Sequence, residues 1–336
     1  ILAAPGVVFS AVFGWDLVWS VVLIGVPTVI YTMIGGVQAV AWVDVKQMVL
    51  IVIALVAIVV VLIVQIPVSP DVALQVAGAA GRMDIFDFSF DINETYTFWS
   101  GLIGGTFLML SYFGTDQSQV QRYLTARSVD EARTSLLMSA YWKIPLQALV
   151  LMVGVLVFVY YQFQPAPLLY NPAQETEVRA ERGEAYAELE GRYLSTFTLR
   201  EEAALDVAEA EEAGLSPEAA MTAFRAREAE IQGIRGEALA MAEEVTGNPS
   251  EDVNYIIPRF VLGELPIGLA GIFIAGVLAA AMSSIAAELA SLSTASVIDF
   301  YRRWFRPEAD EAHYLKVSKW ATGFWGIFAC FVALYA

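Results

Sequence analysis

The sequence predicts an all-helical protein that crosses a membrane several times and carries one acidic, helical insertion outside the membrane. Two observations predict this class. Hydrophobic residues make up 57% of the chain and charged residues 16%, well below the ~25% charged residues that are typical of soluble domains. The net charge of −17 is concentrated in residues 165–254, which hold 20 acidic residues and seven arginines. The chain therefore divides into apolar segments that need a bilayer and one segment that needs water.

Apolar runs long enough to cross a membrane recur along the chain, since a spanning helix needs about 20 residues. They occupy residues 17–35, 43–66, 97–115, 140–162 and 266–290. Residues 317–336 resemble a sixth run that stops short, and residues 1–14 resemble the tail of an earlier one. Because the chain begins without Met and ends inside apolar sequence, we expect it to be a fragment of a longer protein.

The acidic segment is rich in Ala, Glu and Arg, a composition that favours helix. A Ser-Pro-Glu sequence at residues 216–218 interrupts it and predicts a turn, with Ser216 as N-cap and Pro217 in the first helical position. We therefore expect a helical hairpin with one arm near 176–213 and the other near 217–246.

Eight of the twelve basic residues outside the acidic segment cluster in two loops, after the third and after the fifth apolar run. They are Arg122, Arg127 and Arg133, and Arg302, Arg303, Arg306, Lys316 and Lys319. Cytoplasmic loops carry an excess of Lys and Arg, so we expect both loops in the cytoplasm. Residues 67–96 and the acidic insertion then lie outside.

The sequence contains none of the common patterns that indicate an enzyme. Cys330 is its one cysteine and His313 its one histidine, so a metal site built from His and Cys is excluded. No phosphate-binding loop, dinucleotide-binding glycine pattern or nucleophile elbow is present. We expect no enzymatic activity, no organic cofactor and no nucleic-acid partner.

Two adjacent hydroxyls, Ser283 and Ser284, stand inside the long run at residues 266–299. Small Ala and Gly residues on the preceding turns let another element approach closely. The pair therefore offers an oxygen-bearing notch to a hard cation such as sodium. The alternative is that both hydroxyls only bond back to the carbonyls of their own helix.

Two other polar positions lie at the ends of apolar runs. Asp44 opens the second run after Gly35–Gly36; it either lies on a cation path or is simply favoured there by the helix dipole. The third run breaks into polar sequence at Gly114. Tyr112 and Phe113, just before the break, either face a central cavity or belong to an interfacial aromatic belt.

Together these segments resemble the sodium:solute symporter family, which includes the sodium/glucose cotransporters. The matching pieces are YTMIGGVQAVAWVDVKQ (31–47), FWSGLIGGTFLMLSYFGTDQSQVQRYLTARSVDEAR (98–133) and LPIGLAGIFIAGVLAAAMSSIAAELASLSTASVIDFY (265–301). The resemblance implies a partial LeuT-type core of five plus five inverted-repeat helices. On that map, residues 1–164 run from the end of core helix three to core helix seven. Residues 165–254 are an external insertion, and residues 255–336 are core helix eight and the start of core helix nine.

The resemblance also assigns a sodium site. Ser283 and Ser284 match the family's hydroxyl ligands, and Ala280 matches a position that gives a backbone carbonyl. Asp44 matches an aspartate on the inward sodium route. Alanine at 280 and 286 stands where a further hydroxyl completes a second site in some relatives, so we expect one sodium.

On the substrate side, Tyr112 matches the family's inner aromatic gate and Phe113 an aromatic that stacks on it. Met109 stands where sugar-binding relatives can have a polar residue. Lys143 matches a lysine that contacts substrate in some relatives, although a lysine near the inner surface can also simply extend its charge to the headgroups.

The function implied is sodium-coupled symport of a small organic solute across the plasma membrane, a bacterial inner membrane, with sodium as the coupling ion and the lipid bilayer as surroundings. The alternative is a symporter-like membrane sensor module of a signalling protein. The sequence does not indicate which solute is carried.

Overall fold

The structure is a computed structural model that describes residues 5, 6, 9, 15, 17–83, 86–91, 93–247 and 252–335. Within those ranges the chain is helical and contains no β-strand. The α-helices are α1 (Leu17–Gln65), α2 (Pro70–Ala79), α3 (Phe98–Gly114), α4 (Gln117–Leu124), α5 (Val129–Phe163), α6 (Pro172–Glu212), α7 (Glu218–Thr246), α8 (Ile256–Glu264), α9 (Ile267–Thr294) and α10 (Glu311–Tyr335). A 3-10 turn (Asp252–Tyr255) precedes α8, and a π-helix (Ala295–Phe305) continues α9.

Four helical stretches of the described chain are long and apolar enough to cross a membrane: Val18–Gln65, Val129–Phe163, Ile267–Phe305 and Glu311–Leu334. The first contains two of the predicted runs, which lie on either side of a bend. The predicted run at 97–115 is α3, a helix of 17 residues without a charged side chain. The predicted tail at 1–14 lies, apart from residues 5, 6 and 9, outside the described residues.

α1 bends sharply at Gly36, whose φ of 59° and ψ of −159° suit a residue without Cβ. Ile24, before the bend, belongs to one apolar cluster with Ile285 of α9. Ala54, after the bend, lies beside Gly276 of the same helix. A straight helix would separate Ile24 from Ala54 by about 45 Å. α1 is therefore two helical segments that fold back on one another, as the Gly-Gly pair predicted.

The chain forms two compact units by packing. The first comprises residues 1–54, 86–147 and 268–336, and the second comprises residues 55–85 and 148–267. The predicted domain boundaries at 164/165 and 254/255 follow composition instead, and they stay predictions.

The core of the first unit is an apolar cluster that joins α1, α9 and α10. Its buried members include Val21 and Ile24 of α1, Ile285 and Leu289 of α9, and Ala333 of α10. All of these are aliphatic side chains, so the helices that hold the polar residues described below are fixed by apolar packing.

The second unit contains the predicted hairpin, and α6 and α7 form its two arms. Arg182 of α6 pairs with Glu244 of α7, and Arg192, further along α6, pairs with Glu237, which lies earlier on α7. The two arms therefore run antiparallel. Their shared apolar core includes Tyr186, Phe197, Ile231 and Ile234 among its members. The hairpin predicted from the composition is confirmed.

The start of the second arm differs by one residue from the prediction. α7 begins at Glu218, and Pro217, not Ser216, occupies the N-cap position without a side-chain cap bond. The φ of −82° and ψ of 3° at Pro217 lie in the bridge region, outside the helical range. Pro217 therefore precedes the helix as its N-cap, and the first helical residue is Glu218.

Candidate functional site

The eight predicted site residues all lie in the first unit, and Ser283 and Asp44 are bonded to each other across two helices. The Ser283 hydroxyl on α9 donates to Oδ1 of Asp44 on α1 at 2.6 Å. The other carboxylate oxygen of Asp44 lies 3.1 Å from a guanidinium nitrogen of Arg122 on α4. The Asp44 side chain is only 16% exposed, and a carboxylate so shielded from water needs such donors. This Asp44 junction joins three helices that are distant in sequence.

The neighbouring hydroxyl points elsewhere. Ser284 is exposed and donates to the Ala280 carbonyl, one turn earlier on α9, at 3.1 Å. This bond agrees, for Ser284, with the alternative in which the serine hydroxyls bond to carbonyls of their own helix. A hydroxyl that donates once keeps lone pairs for another partner. The Ala280 carbonyl, inside α9, also accepts the backbone N–H of Ser284, so its oxygen is already shared.

The two serines therefore play different geometric roles. Neighbours on a helix point about 100° apart, so Ser283 reaches α1 while Ser284 and Ala280 present two neutral oxygens on an open side of α9. Neutral oxygens suit a hard monovalent cation. These oxygens fit a sodium ion that approaches α9 from that side. The Asp44 carboxylate lies nearby, because it is bonded to Ser283, the residue next to Ser284.

Sequence reasoning missed two members of this neighbourhood. Arg122 was interpreted only as a marker of the cytoplasmic side, although it lies in a short polar helix directly after the predicted break. Tyr31, on the other segment of α1, donates its hydroxyl to the Met282 carbonyl at 3.1 Å. The polar sequence at 115–122 was the available signal for Arg122; nothing local to Tyr31 predicted its contact.

A cavity of about 230 Å³ lies next to the Asp44 junction. Asp44 and Arg122 line one part of it, and Ser118 and Gln121 of α4 add two buried polar side chains. The cavity is large enough for several water molecules, which occupy about 30 Å³ each. Apart from Thr125, the rest of its lining is Val and Ala from α1 and α9, so the junction borders a small, mostly apolar cavity on the α4 side.

Tyr112, Phe113 and Lys143 form a second group. The rings of Tyr112 and Phe113 meet edge-on with centroids 5.0 Å apart. The Lys143 ammonium lies 4.8 Å from the Tyr112 ring centroid and 5.1 Å from that of Phe113, within the range of cation–π attraction. Lys143 lies well inside α5, because this helix begins at Val129.

The structure brings this aromatic group close to the charges of the first site. Arg122 of the Asp44 junction lies within electrostatic range of the Tyr112 hydroxyl, as do Asp116 and Glu288. The main chain at the predicted break is also held, because Tyr123 of α4 donates its hydroxyl to the Phe113 carbonyl. The predicted break is confirmed: α3 ends at Gly114, and α4 begins after Asp116, whose side chain caps it.

Met109 occupies the exposed face of α3 and is not in the Lys143 group. It lines an open groove of about 760 Å³ along α3, together with Gly105 and Phe113. Phe113 is four residues later on the same helix face. It therefore connects the groove to the aromatic group.

Named relatives are similar over part of their length. The sodium/iodide cotransporter of Homo sapiens is 32% identical over 48% of this chain and 25% of that protein. The sodium-dependent multivitamin transporter of Oryctolagus cuniculus is 34% identical over 49% of this chain and 26% of that protein. The sodium-coupled monocarboxylate transporter 1 of Homo sapiens is 36% identical over 40% of this chain and 22% of that protein. The chain spans about a quarter of the length of these curated relatives.

A solved structure is similar over the whole chain. It shows a substrate-bound, outward-open state of a Na⁺-coupled sialic acid symporter, and it matches with a TM-score of 0.68 at 22% identity. The match covers 100% of this chain and 54% of that chain. It confirms the predicted fold, an all-α membrane protein with part of a LeuT-type core.

The sequence profile of the sodium:solute symporter family matches residues 2–188 and 220–335. The gap between these stretches falls within the α6–α7 hairpin, at the end of α6 and the turn that follows it. The match takes in most of the chain, including every predicted site residue. The chain belongs to the sodium:solute symporter family.

Proposed function

We propose that this chain belongs to a secondary active transporter. It couples the entry of sodium to the entry of a small organic solute across the plasma membrane by alternating access. Membership of the family and the sodium-coupled relatives support this proposal. The observation that carries it is the open pair of neutral oxygens from Ser284 and Ala280, next to the Ser283–Asp44 hydrogen bond.

In this proposal, Ser283, Ser284 and the Ala280 carbonyl bind the sodium ion. Ser283 already donates to Asp44, so its oxygen lone pairs remain available to a cation. A site of neutral oxygens is stable only when its surrounding helices are close, so sodium binding favours one arrangement of those helices over another. This differential binding couples the ion to the solute site.

Asp44 lies on the proposed inward path of the ion. It attracts a cation that leaves the hydroxyl pair, and Arg122 already occupies one of its oxygens. An inside-negative membrane potential contributes about 2.3 kcal/mol per charge per 100 mV to inward movement. The ion therefore needs no strong cytoplasmic site to leave toward the cell interior.

The proposed solute site includes Tyr112, Phe113, Met109 and Lys143. Tyr112 is the gate that moves aside for release, and Phe113 stacks against it. Lys143 places a positive charge over both rings. The relatives named for iodide and for monocarboxylates carry anionic solutes, so carboxylates belong in a solute panel together with sugars and vitamins.

The proposed orientation places residues 122–133 and 302–319 in the cytoplasm. The acidic insertion at 165–254 then lies outside. The basic residues of the two loops support this orientation.

The test of the function uses the full-length protein that contains this chain. Its thermal stability is measured in sodium and in potassium, with and without each solute of the panel. A ligand that binds the folded state raises the melting temperature by mass action. We expect a rise specific to sodium, and a further rise with one solute only when sodium is present. Equal stability in both salts, with no response to any solute, contradicts the proposal.

The ion site is tested by the variants Ser283→Ala and Ser284→Ala in the same protein. Each variant removes one oxygen ligand of the sodium ion. We take the contribution of such a contact to be similar to that of a hydrogen bond to a charged group, about 1.5–3 kcal/mol. We expect the sodium concentration for half-maximal uptake to rise about tenfold or more. The matched control is Ser291→Ala, which removes the same kind of bond, from Ser291 to the Ala287 carbonyl at 2.9 Å, two turns further along α9.

The control variant is expected to keep the sodium dependence of the wild type. Unchanged sodium dependence in both the Ser283 and the Ser284 variant would remove these residues from the site. The melting experiment above would still report whether the protein responds to sodium.

A further inference from the structure

Two side chains of α1 contact consecutive residues of α9. Tyr31, before the bend at Gly36, donates its hydroxyl to the Met282 carbonyl at 3.1 Å. Asp44, after the bend, accepts the Ser283 hydroxyl at 2.6 Å. The Cα atoms of two consecutive residues are about 3.8 Å apart. Both segments of α1 therefore contact the same short stretch of α9.

The bend in α1 makes this double contact possible. In a straight helix, Tyr31 and Asp44 would lie about 20 Å apart. The backbone angles of Gly36, φ 59° and ψ −159°, lie at the edge of a region that is essentially restricted to glycine. Gly35 is needed as well, because a Cβ atom there would collide with that of Ala39. The glycine pair therefore fixes the relative position of the two polar groups.

Apolar packing alone does not set the rotation of α9 about its own axis. Ile24 of α1 packs with Ile285 and Leu289 of α9 in the core of the first unit. Apolar contacts are not directional, whereas a hydrogen bond weakens steeply as its angle departs from linear. A small rotation of α9 therefore disturbs the bond between Ser283 and Asp44 more than it disturbs the apolar core.

The Tyr31 hydrogen bond acts on the peptide unit that leads directly to Ser283. The Met282 carbonyl belongs to the peptide bond between Met282 and Ser283, so a donor on its oxygen restrains the orientation of that unit. Inside α9 the same carbonyl accepts the backbone N–H of Ala286, and Tyr31 is its second donor. Tyr31 is partly buried, so this bond is less exposed to competition from water than a bond at the surface.

We propose that Tyr31 is a positioning residue for the sodium ion. Its hydroxyl holds the turn of α9 that carries Ser283, so that the Ser283 oxygen stays in place for both Asp44 and the ion. This inference rests on the proposed sodium site and adds to it a residue that does not touch the ion. Without the Tyr31 hydroxyl, Ser283 has to be ordered at the moment when sodium binds, and the ion then binds more weakly.

The test uses the variant Tyr31→Phe of the full-length protein, which keeps the ring and removes only the hydroxyl. Sodium binding is measured from the rise in melting temperature along a sodium titration, in which potassium keeps the ionic strength constant. Solute uptake into liposomes is measured over the same range of sodium concentrations. The matched control is Thr28→Val, because Thr28 is buried on the same segment of α1 and donates only to the Ile24 carbonyl of its own helix, at 2.6 Å.

We expect Tyr31→Phe to raise the half-saturating sodium concentration about threefold to tenfold, the range for the loss of one hydrogen bond. The maximal uptake rate at saturating sodium is expected to stay at the wild-type value, and the control is expected to keep the wild-type sodium dependence. A lower maximal rate with an unchanged half-saturating concentration would overturn the inference, because Tyr31 would then have only a structural role. An equal rise in the Thr28 variant would overturn it too, because the loss of any hydroxyl from this segment would then have the same effect.

A double variant tests whether Tyr31 acts through Ser283. Ser283→Ala removes the oxygen that Tyr31 positions, so adding Tyr31→Phe is expected to change the sodium dependence no further. Two effects that multiply would contradict the positioning role.

The wild-type protein separates this inference from the proposed function. If its melting temperature and uptake respond to sodium while Tyr31→Phe behaves identically, only the positioning role fails. If the wild type itself does not respond to sodium, the proposed function fails and the positioning role fails with it.

Discussion

At the scale of single residues, arginine side chains stabilise the buried carboxylates of this chain. In the second unit, Arg235 lies 2.8 Å from the carboxylate of Asp252, whose side chain is 3% exposed. The same carboxylate accepts the N–H of Asn171 at 2.9 Å. Arg235 also covers the ring of Tyr170, and burial raises the pKa of this tyrosine to about 12. A buried carboxylate with this many donors fixes the end of the hairpin to the chain that enters it.

The buried pair gives a prediction for stability. Arg235→Gln removes the cation and leaves Asp252 buried with its charge only partly satisfied, which costs about 3–5 kcal/mol for a buried pair. We expect the full-length variant to melt at a clearly lower temperature than the wild type in a thermal unfolding assay. The control is Arg192→Gln, because Arg192 and Glu237 are each about half exposed and such pairs add little. Equal melting of the two variants would contradict this account.

The site could be predicted from the sequence only in part, and the serine pair shows why. Helical geometry alone requires Ser283 and Ser284 to point in different directions. Which of the two serines faces Asp44 depends on how α1 packs on α9. Asp44 and Ser283 are 239 positions apart in the sequence. Arg122 was missed for the same reason, since its partner is set by tertiary packing and not by the sequence around it.

At the scale of whole elements, glycines allow the close approach of α10 to the first segment of α1. A Cβ atom placed on Gly326 would lie 2.3 Å from one Val29 methyl carbon and 2.7 Å from the other. A Cβ on Gly323 would lie 3.2 Å from the Met33 sulfur. Valine is stiff at its branched carbon, whereas methionine adapts. The two glycines therefore differ in how much change they tolerate.

This difference predicts the outcome of two alanine substitutions. Gly326→Ala forces the helices apart or strains Val29, and overpacking of this kind typically costs about 1–3 kcal/mol. Gly323→Ala needs only a small movement of Met33. In the full-length protein we expect Gly326→Ala to lower the melting temperature more than Gly323→Ala. The opposite order would contradict the close packing of α10 on α1.

The helices themselves were mostly predictable, and their ends were not. Hydropathy located α1, α3, α5 and α9, since bilayer spans must be apolar. It placed the start of α5 at residue 140, whereas the helix begins at Val129. The 35 residues of α5 measure about 52 Å, longer than a bilayer is thick. A helix continues into water as long as its backbone bonds are made, so hydropathy marks the membrane boundary and not the helix boundary.

At the scale of the whole molecule, the distribution of charge predicts orientation. The hairpin carries most of the negative charge, and eight of the twelve basic residues outside residues 165–254 follow the third and fifth apolar runs. The turn between α6 and α7, residues 213–217, contains Gly214 with a φ of 66° and is exposed at its first four positions. Exposed turns of this kind tolerate inserted peptides.

We expect an epitope tag inserted in the 213–217 turn of the full-length protein to bind antibody on intact cells or spheroplasts. The control is the same tag inserted at residues 307–310, a short exposed connection between the π-helix and α10. It is expected to bind only after the membrane is opened. Antibody access in the reverse order would invert the proposed orientation. Access to both tags without permeabilisation would show that the membrane was not sealed.

The Asp44 junction also has a consequence in time. Ribosomes add about 5–20 residues per second, so Asp44 is made roughly 12–48 seconds before Ser283, the hydroxyl that donates to it across 239 positions. Arg122 is made about a third of the way through that interval. A carboxylate that waits among apolar helices without a donor is costly. Of the two side chains that contact Asp44 in the junction, Arg122 is therefore synthesised first, and Ser283 follows.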